Sequence, residues 1–368
     1  MLNSQNQQNP RIACFVSSHG FGHATRIAAI LDSLQKSLPN AFFEIYGNTP
    51  EWFWKLNLLN PINFRCVQIE TDIGLLQNGP FEHDVKQTCN ALKHYLNFSN
   101  NSFLEAKQRV TQSKIDLIMC DISPMGIVIG DQLKIPSILI ENFTWDWIYE
   151  EFWEEHPVLI SYCLSLKEIF RKATIRIQAT PTCQDYPDAV KVNPIFRNCR
   201  NPVEQIKMSL GLNKDQDFLL LTTGGITLHK SFIDDFSSTT PVVCTTNQSS
   251  MIKKRNLISL PMNSGIHFPD LVRASACVIG KAGYGTICEC WGTSTPIQAV
   301  YRENFKESEI LRYFANSNLK HREISLEDFL NKNWDENFPK NRKNQKKNVT
   351  ITNGSDQVCH TILNFLKL

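Results

Sequence analysis

A chain of 368 residues is too long for one ordinary hydrophobic core and is expected to divide into two domains. An apolar fraction of 42 % beside 20 % charged residues is that of a globular protein, and a formal net charge of +2 gives no sign of nucleic acid or an anionic membrane as partner. The 12 cysteines are scattered singly, without a CxxC pair or a Cys/His ligand spacing, and are expected as reduced thiols of a cytoplasmic protein, with no metal site.

The opening MLNSQNQQNP lacks the apolar core of a secretory signal, and no run of about 18 apolar residues offers a membrane span. The first buried strand is RIACFV, residues 11–16, and it runs directly into SSHGFGHATR. There Gly20 and Gly22 allow a tight turn, and the helix that follows, with Ile27, Ile30, Leu31 and Leu34 at helical spacing, presents its N-terminus to anions or oxygen ligands. The G-x-G-x-x-T spacing lacks the third glycine of a dinucleotide fingerprint, and no GK[ST] follows to make a P-loop. His23 is placed to project from the helix start into a cleft, where a neutral imidazole can take a proton from a hydroxyl. Alternatively, His23 and His19 satisfy backbone groups of the turn. AFFEIYG, FRCVQI, DLIMC and PSILI read as further buried strands, with a long helical region around 84–112 before DLIMC. Asp121, just past that strand, falls on the same sheet edge as His23. It either orients the imidazole or caps the next helix. In TWDWIYEEFW, residues 144–153, most aromatics have core spacing, while Trp145 and Trp147 are candidates to stack on an acceptor.

YPDAVKVNPIFRNCRNP, residues 186–202, has little periodicity and reads as a linker. Strand-like runs then begin afresh with DFLLLTTGG, PVVCTT, NLISL, ACVIG and PIQAV, so a second α/β domain is expected. The expected division is 1–185, a linker 186–202, a second domain 203–352, and a closing helix 353–368. TTGG puts Gly224 and Gly225 at a strand end. VIGKAGYGTICEC is the more specific signal. Gly283 and Gly285 lead into a helix expected to start near Thr286, whose bare amides suit a pyrophosphate, with Lys281 as counter-charge. Glu289 could accept from ribose hydroxyls, or could close a capping box with Thr286. The basic run NRKNQKKN, 341–348, reads as a solvated loop, with a phosphate-rich or membrane-surface contact as the alternative.

With these residues in place, GFGHATR, TDIGLLQ, ENFTWDWIYEEF, FPDLVRASACVIGKAGYGT and FKESEILRYF together resemble the GT-B glycosyltransferases. Most similar is the glycosyltransferase-like portion of the L-arabinokinases, without the kinase half. The resemblance covers nearly the whole chain. It implies an α/β fold of two facing Rossmann-like domains with a ligand cleft between them. It also implies a metal-independent transferase that takes a UDP-linked sugar as substrate, needs no cofactor, and delivers the sugar to an acceptor that the resemblance does not name. In these families the histidine of the first loop, here His23, acts as the general base or sits beside it, and the plant UDP-glycosyltransferases add an aspartate at the strand end that corresponds to Asp121. The second loop, here Gly283, Gly285, Thr286 and Glu289, holds the donor. Glu307 and Glu309 stand where the family places its donor-sugar contacts, without the usual glutamine, which leaves the sugar open. A nucleotide-sugar hydrolase with a GxGH loop and a non-catalytic nucleotide-sugar sensor share the same plan.

Overall fold

Ile12, Ala13, Cys14, Phe15 and Val16 are all buried, so the strand they form must be covered on both faces. The computed structural model describes residues 9–18, 20–61, 63–77, 82–224, 236, 238–338 and 351–368. In it this strand, β1 (Arg11–Val16), lies inside a seven-stranded sheet with the order β3-β2-β1-β4-β5-β6-β7. The others are β2 (Phe42–Tyr46), β3 (Phe64–Val67), β4 (Leu117–Asp121), β5 (Ser137–Glu141), β6 (Ile175–Ala179) and β7 (Val190–Val192). Every pairing is parallel. The crossovers carry α1 (Gly22–Ser37), α2 (Glu51–Asn57), α3 (Val85–Tyr95), α4 (Asn101–Gln112), α5 (Pro124–Leu133), α6 (Trp145–Tyr149) and α7 (Val158–Phe170).

The structure sharpens two readings of this half. The helical region around 84–112 consists of two helices. Asp84 caps α3 by accepting from the Gln87 amide at 2.8 Å, Phe98 takes a left-handed φ of 46°, and Asn100 caps α4 through the Phe103 amide at 2.8 Å. The segment 186–202 is not a plain linker, because Val190–Val192 extend the first sheet as its edge strand.

The second sheet runs β10-β11-β9-β8-β12-β13-β14, from β8 (Leu219–Thr222), β9 (Val242–Thr246), β10 (Ile252–Lys254), β11 (Leu257–Pro261), β12 (Cys277–Lys281), β13 (Ile297–Val300) and β14 (His321–Glu323). Only the β10–β11 pairing is antiparallel. Its helices are α8 (Val203–Ser209), α9 (Phe268–Ala274), α10 (Tyr284–Thr293), α11 (Glu307–Asn318) and α12 (Leu326–Leu330).

The last helix, α13 (Gly354–Leu366), does not cover the sheet that precedes it in sequence. It lies on α1, and Val358, Ile362 and Leu366 share the first domain's core with Ile27, Ile30 and Leu34. Ser33 Oγ donates to Asp356 Oδ1 at 2.8 Å across this contact. The outgoing and returning passages of the chain run side by side. The Gly354 amide donates to the Pro194 carbonyl at 3.0 Å, and Asn353 Nδ2 donates to the Phe196 carbonyl at 2.7 Å. Among the described residues no helix is long and apolar enough to cross a membrane, and all 12 cysteines are free thiols.

Candidate active site

Ligands of open parallel sheets gather at the carboxyl ends of the strands, and here three glycine turns meet at those ends. After β1, Gly20 takes a φ of +64°, where a side chain would also press to 3.0 Å from the Gly224 carbonyl. That carbonyl accepts from the Phe21 amide at 3.3 Å, so the first domain's turn touches the turn after β8. After β12, Gly283 is the N-cap of α10, and space for a Cβ there is open. Gly285 differs. A Cβ on it would come within 2.8 Å of Thr25 Oγ1 on α1, so its smallness lets the two helix starts approach. The helix begins at Tyr284 rather than near Thr286, and its N-cap makes no side-chain hydrogen bond, so the capping-box reading of Thr286 and Glu289 does not hold.

The cleft between the domains is lined by His23, Arg26, Phe143 and Trp145 on one wall and by Lys281, Gly283, Thr286 and Glu289 on the other. His23 occupies the second residue of α1. Its Nδ1 lies 2.7 Å from Asp121 Oδ1, at the end of β4. An ionised carboxylate only accepts, so Nδ1 carries the proton and Nε2 is left as the acceptor nitrogen. Asp121 does not cap α5, whose N-cap is Ser123. Arg26, one helical turn beyond His23, grips the same carboxylate through Nε to Oδ2 at 2.7 Å and Nη2 to Oδ1 at 2.6 Å. Burial alone would raise the Asp121 carboxyl, but the Arg26 charge and its hydrogen bonds, with His23, hold it below its ordinary range. Arg26 Nη1 donates to Asn142 Oδ1 at 2.6 Å, and Asn142 Nδ2 donates to Glu307 Oε1 at 2.7 Å. A buried chain of hydrogen bonds therefore runs from His23 in the first domain to Glu307 at the start of α11 in the second.

Lys281 ends β12 within the cleft. Burial, then the neighbouring Arg302, push its ammonium down to about 7 against the opposing pull of Glu307. Glu289 is almost wholly buried and takes Nε and Nη2 of Arg197 on its Oε1, each at 2.7 Å, while Arg197 Nη1 reaches Asn57 Oδ1 at 2.7 Å. Burial raises its carboxyl despite Arg197. Glu307 and Trp145 line the cleft, Trp145 with its Nε1 committed to Asp72 Oδ2 at 2.8 Å.

Glu309 and Trp147 do not reach it. The Glu309 carboxylate is exposed and pairs with Arg312 one turn on, and Trp147 lies under the Lys306 ammonium, 4.3 Å from the ring centroid. The resemblance places Glu309 at the site and the aromatic-rich run places Trp147 there, and helical spacing turns both away. Gly224 lines the cleft, whereas Gly225, His19 and the basic run 341–348 lie outside the described residues. The triplet Asp215–Gln216–Asp217 has the DxD spacing of a metal-binding motif but sits on an exposed turn before β8, outside the cleft lining.

Arg26, Asn142, Arg197 and Arg302 went unread in the sequence, as did Trp52 and Phe53 on α2 and Ile266 and Phe268 around the start of α9, all of which line the cleft. For Arg26 a signal existed, since i and i+3 share a helix face. The others become neighbours only through the fold.

No family model matches the chain. It is 23 % identical over 306 residues to L-arabinokinase of Arabidopsis thaliana, a match that covers 82 % of this chain and 29 % of that protein. The chain thus spans under a third of that relative's length. Among solved structures, the Medicago truncatula protein UGT71G1 complexed with UDP-glucose superposes with a TM-score of 0.63 at 12 % identity, covering 100 % of both chains. Arabidopsis thaliana UGT89C1 complexed with UDP gives 0.60 at 11 %, over 98 % of this chain and 100 % of that one. The glycosyltransferase SsfS6 of Streptomyces sp. SF2575 gives 0.57 at 14 %, over 88 % and 89 %. The architecture is the GT-B fold.

Proposed function

We propose that this GT-B chain is a glycosyltransferase that moves a sugar from a nucleotide diphosphate, UDP-linked, to an acceptor hydroxyl. One observation carries the reading. A histidine oriented by a buried carboxylate faces, across one cleft, a helix N-terminus with bare amides and an enclosed lysine. The first pair suits deprotonation and the second suits a departing diphosphate. That two structures of the same fold were solved with UDP-glucose or UDP supports the choice of donor.

In this mechanism the acceptor hydroxyl approaches Nε2 of His23 and loses its proton as its oxygen attacks the anomeric carbon. Asp121 keeps the tautomer and stabilises the imidazolium, and Arg26 keeps Asp121 ionised and in place. The carbon–oxygen bond to the diphosphate breaks, and its negative charge is met by the α10 amides and Lys281. Attack opposite the leaving group inverts the anomeric centre. The Glu289 oxygen not held by Arg197 is available to the ribose, and Glu307 to the sugar. The step draws its charge stabilisation from these residues and needs neither a metal nor a cofactor. Trp145 and Phe143 flank the base and form the acceptor's side of the cleft. We place the reaction in the cytoplasm, where free thiols persist.

A thermal-shift screen of UDP-sugars, followed by product analysis, tests the reading. A donor at 100 times its dissociation constant should stabilise the fold by about 2.7 kcal/mol. His23→Ala should keep that shift and lose roughly 10²- to 10⁴-fold in turnover, the usual contribution of a positioned base. Full turnover in His23→Ala would place the base elsewhere. Free sugar as the sole product, insensitive to any acceptor, would identify a hydrolase instead.

A further inference from the structure

β12 and β13 are paired in register at Lys281 and Val300, so Lys281 and, two residues beyond Val300, Arg302 leave neighbouring strands at one edge of the second sheet. Both line the cleft. The Arg302 side chain is only 10 % exposed, and its closest carboxylate oxygen, Glu307 Oε2, is 3.8 Å away, beyond hydrogen-bond reach. Its guanidinium instead lies over the Phe305 ring, 3.3 Å from the centroid. Among the described residues no carboxylate forms an ion pair with Lys281. Among the described residues the acid that interacts with both is Glu307, and its Oε1 already accepts from Asn142.

Two cations with half a carboxylate between them are costly in so enclosed a place, because the water both charges lose is replaced by one shared acid at a distance and an aromatic face. Burial pushes Arg302 down to about 10. His83, beside this corner, is pushed down to about 4 by burial and by the field of Arg302 and Lys281, and so stays neutral rather than adding a third charge. The other charged groups lining the cleft are matched: Arg26 with Asp121, and Arg197 with Glu289. The excess is therefore local to the Lys281–Arg302 corner.

A diphosphate on the α10 amides accounts for Lys281, which stands two residues before the N-cap. It leaves Arg302 unexplained. Arg302 is one strand further along the sheet and beside Glu307, the residue that the proposed mechanism assigns to the donor's sugar. A planar guanidinium with free donors matches a carboxylate in two-pronged fashion, which a hydroxylated neutral ring does not need. We infer that Arg302, with Lys281 behind it, receives a carboxylate borne by the donor's sugar ring, which makes a nucleotide-linked uronic acid the preferred donor class. The inference rests on the donor reading given above.

Calorimetric titration of UDP, UDP-glucose, UDP-glucuronate and UDP-galacturonate into the wild-type chain, Arg302→Gln and Arg302→Lys tests it. At least one uronate should bind tenfold or more tightly than UDP-glucose. In Arg302→Gln that ratio should fall close to one, and in Arg302→Lys, which keeps the charge but loses the fork, to an intermediate value. If the glutamine variant does not fold, the lysine variant's ratio decides. Equal wild-type affinities for UDP-glucose and both uronates overturn the inference and leave the UDP-donor reading standing. A glutamine variant that weakens UDP as much as it weakens the uronates puts the guanidinium on the diphosphate and also overturns it. Failure of all four compounds to bind removes the donor reading and this inference with it.

Discussion

Lys281 carries its charge in surroundings that disfavour it. Burial, reinforced by Arg302 and eased by Glu307, brings it from an ordinary 10.5 to about 7. Between those values the folded chain binds fewer protons than the unfolded one, so the group's contribution makes stability rise as pH climbs from about 7 towards 10.5. A bound diphosphate reverses the preference by favouring the ammonium. Above pH 7 the diphosphate is already ionised, so binding must take up a proton at Lys281. UDP affinity is therefore expected to fall as pH is raised above about 7, by up to about tenfold per unit. Titration calorimetry in two buffers of different ionisation enthalpy measures the uptake directly, and Lys281→Met should flatten the profile. A wild-type profile flat from pH 7 to 9 would separate the ammonium from the phosphate. At this scale His23 and Asp121 were legible because a glycine turn and a strand end mark them locally. Asn142 was not legible, since its partners Arg26 and Glu307 are 116 and 165 residues away. A hydrogen bond of that span leaves no trace in local pattern.

The start of α10 carries two glycines with opposite surroundings, Gly283 at the N-cap and Gly285 in the first turn, and the element predicts opposite outcomes for them. Gly285→Ala drives a methyl against Thr25 Oγ1, which itself donates to the Gly22 carbonyl at 2.7 Å. Overpacking of this kind costs about 1–3 kcal/mol. Thr25→Ala should relieve much of it, giving a non-additive double mutant by thermal denaturation. Gly283→Ala meets open space, so the melting temperature should hold while UDP binding weakens, because the methyl stands where the phosphate is expected. The reverse pattern, with Gly283→Ala unstable and Gly285→Ala silent, would invert the two assignments. Elements differ in legibility for related reasons. RIACFV, DLIMC and PSILI were readable because strands buried on both faces are continuously apolar. The edge strands β7, β10 and β14 (VKV, IKK and HRE) carry polar side chains into solvent and are defined by their pairing alone. The break between α3 and α4 rests on two caps and a left-handed Phe98, which apolar periodicity cannot register.

At the scale of the molecule, the end of the chain belongs to its beginning. The closing helix was foreseen from its amphipathic pattern, but the surface it covers was not, since amphipathicity names a face without naming its partner. Val358, Ile362 and Leu366 are each less than 5 % exposed against α1. At about 1.5–3 kcal/mol each, their burial is worth roughly 5–9 kcal/mol as an upper estimate. That approaches the whole stability of a typical domain. A chain truncated after residue 350 should therefore fail first in the N-terminal half. Hydrogen exchange should show α1 and β1 losing protection while β8 and β12 retain more of theirs. Protection lost first in the second sheet would show that α13 stabilises mainly the domain it follows.

The paired passages at Pro194–Phe196 and Asn353–Gly354 have a mechanical consequence. Two bodies joined by one flexible tether can swivel about any axis. Two adjacent strands stapled by amide-to-carbonyl bonds act as a door's pins, leaving chiefly one rotation, about the line they define. Away from that line the two halves also meet through bonds from Phe21 to Gly224, from Asn142 to Glu307, and from Lys306 to Trp147, Glu150 and Glu151, which an opening rotation must release. Such a joint can open to admit a bulky molecule and still bring His23 back to the same station opposite Gly283 at every closing.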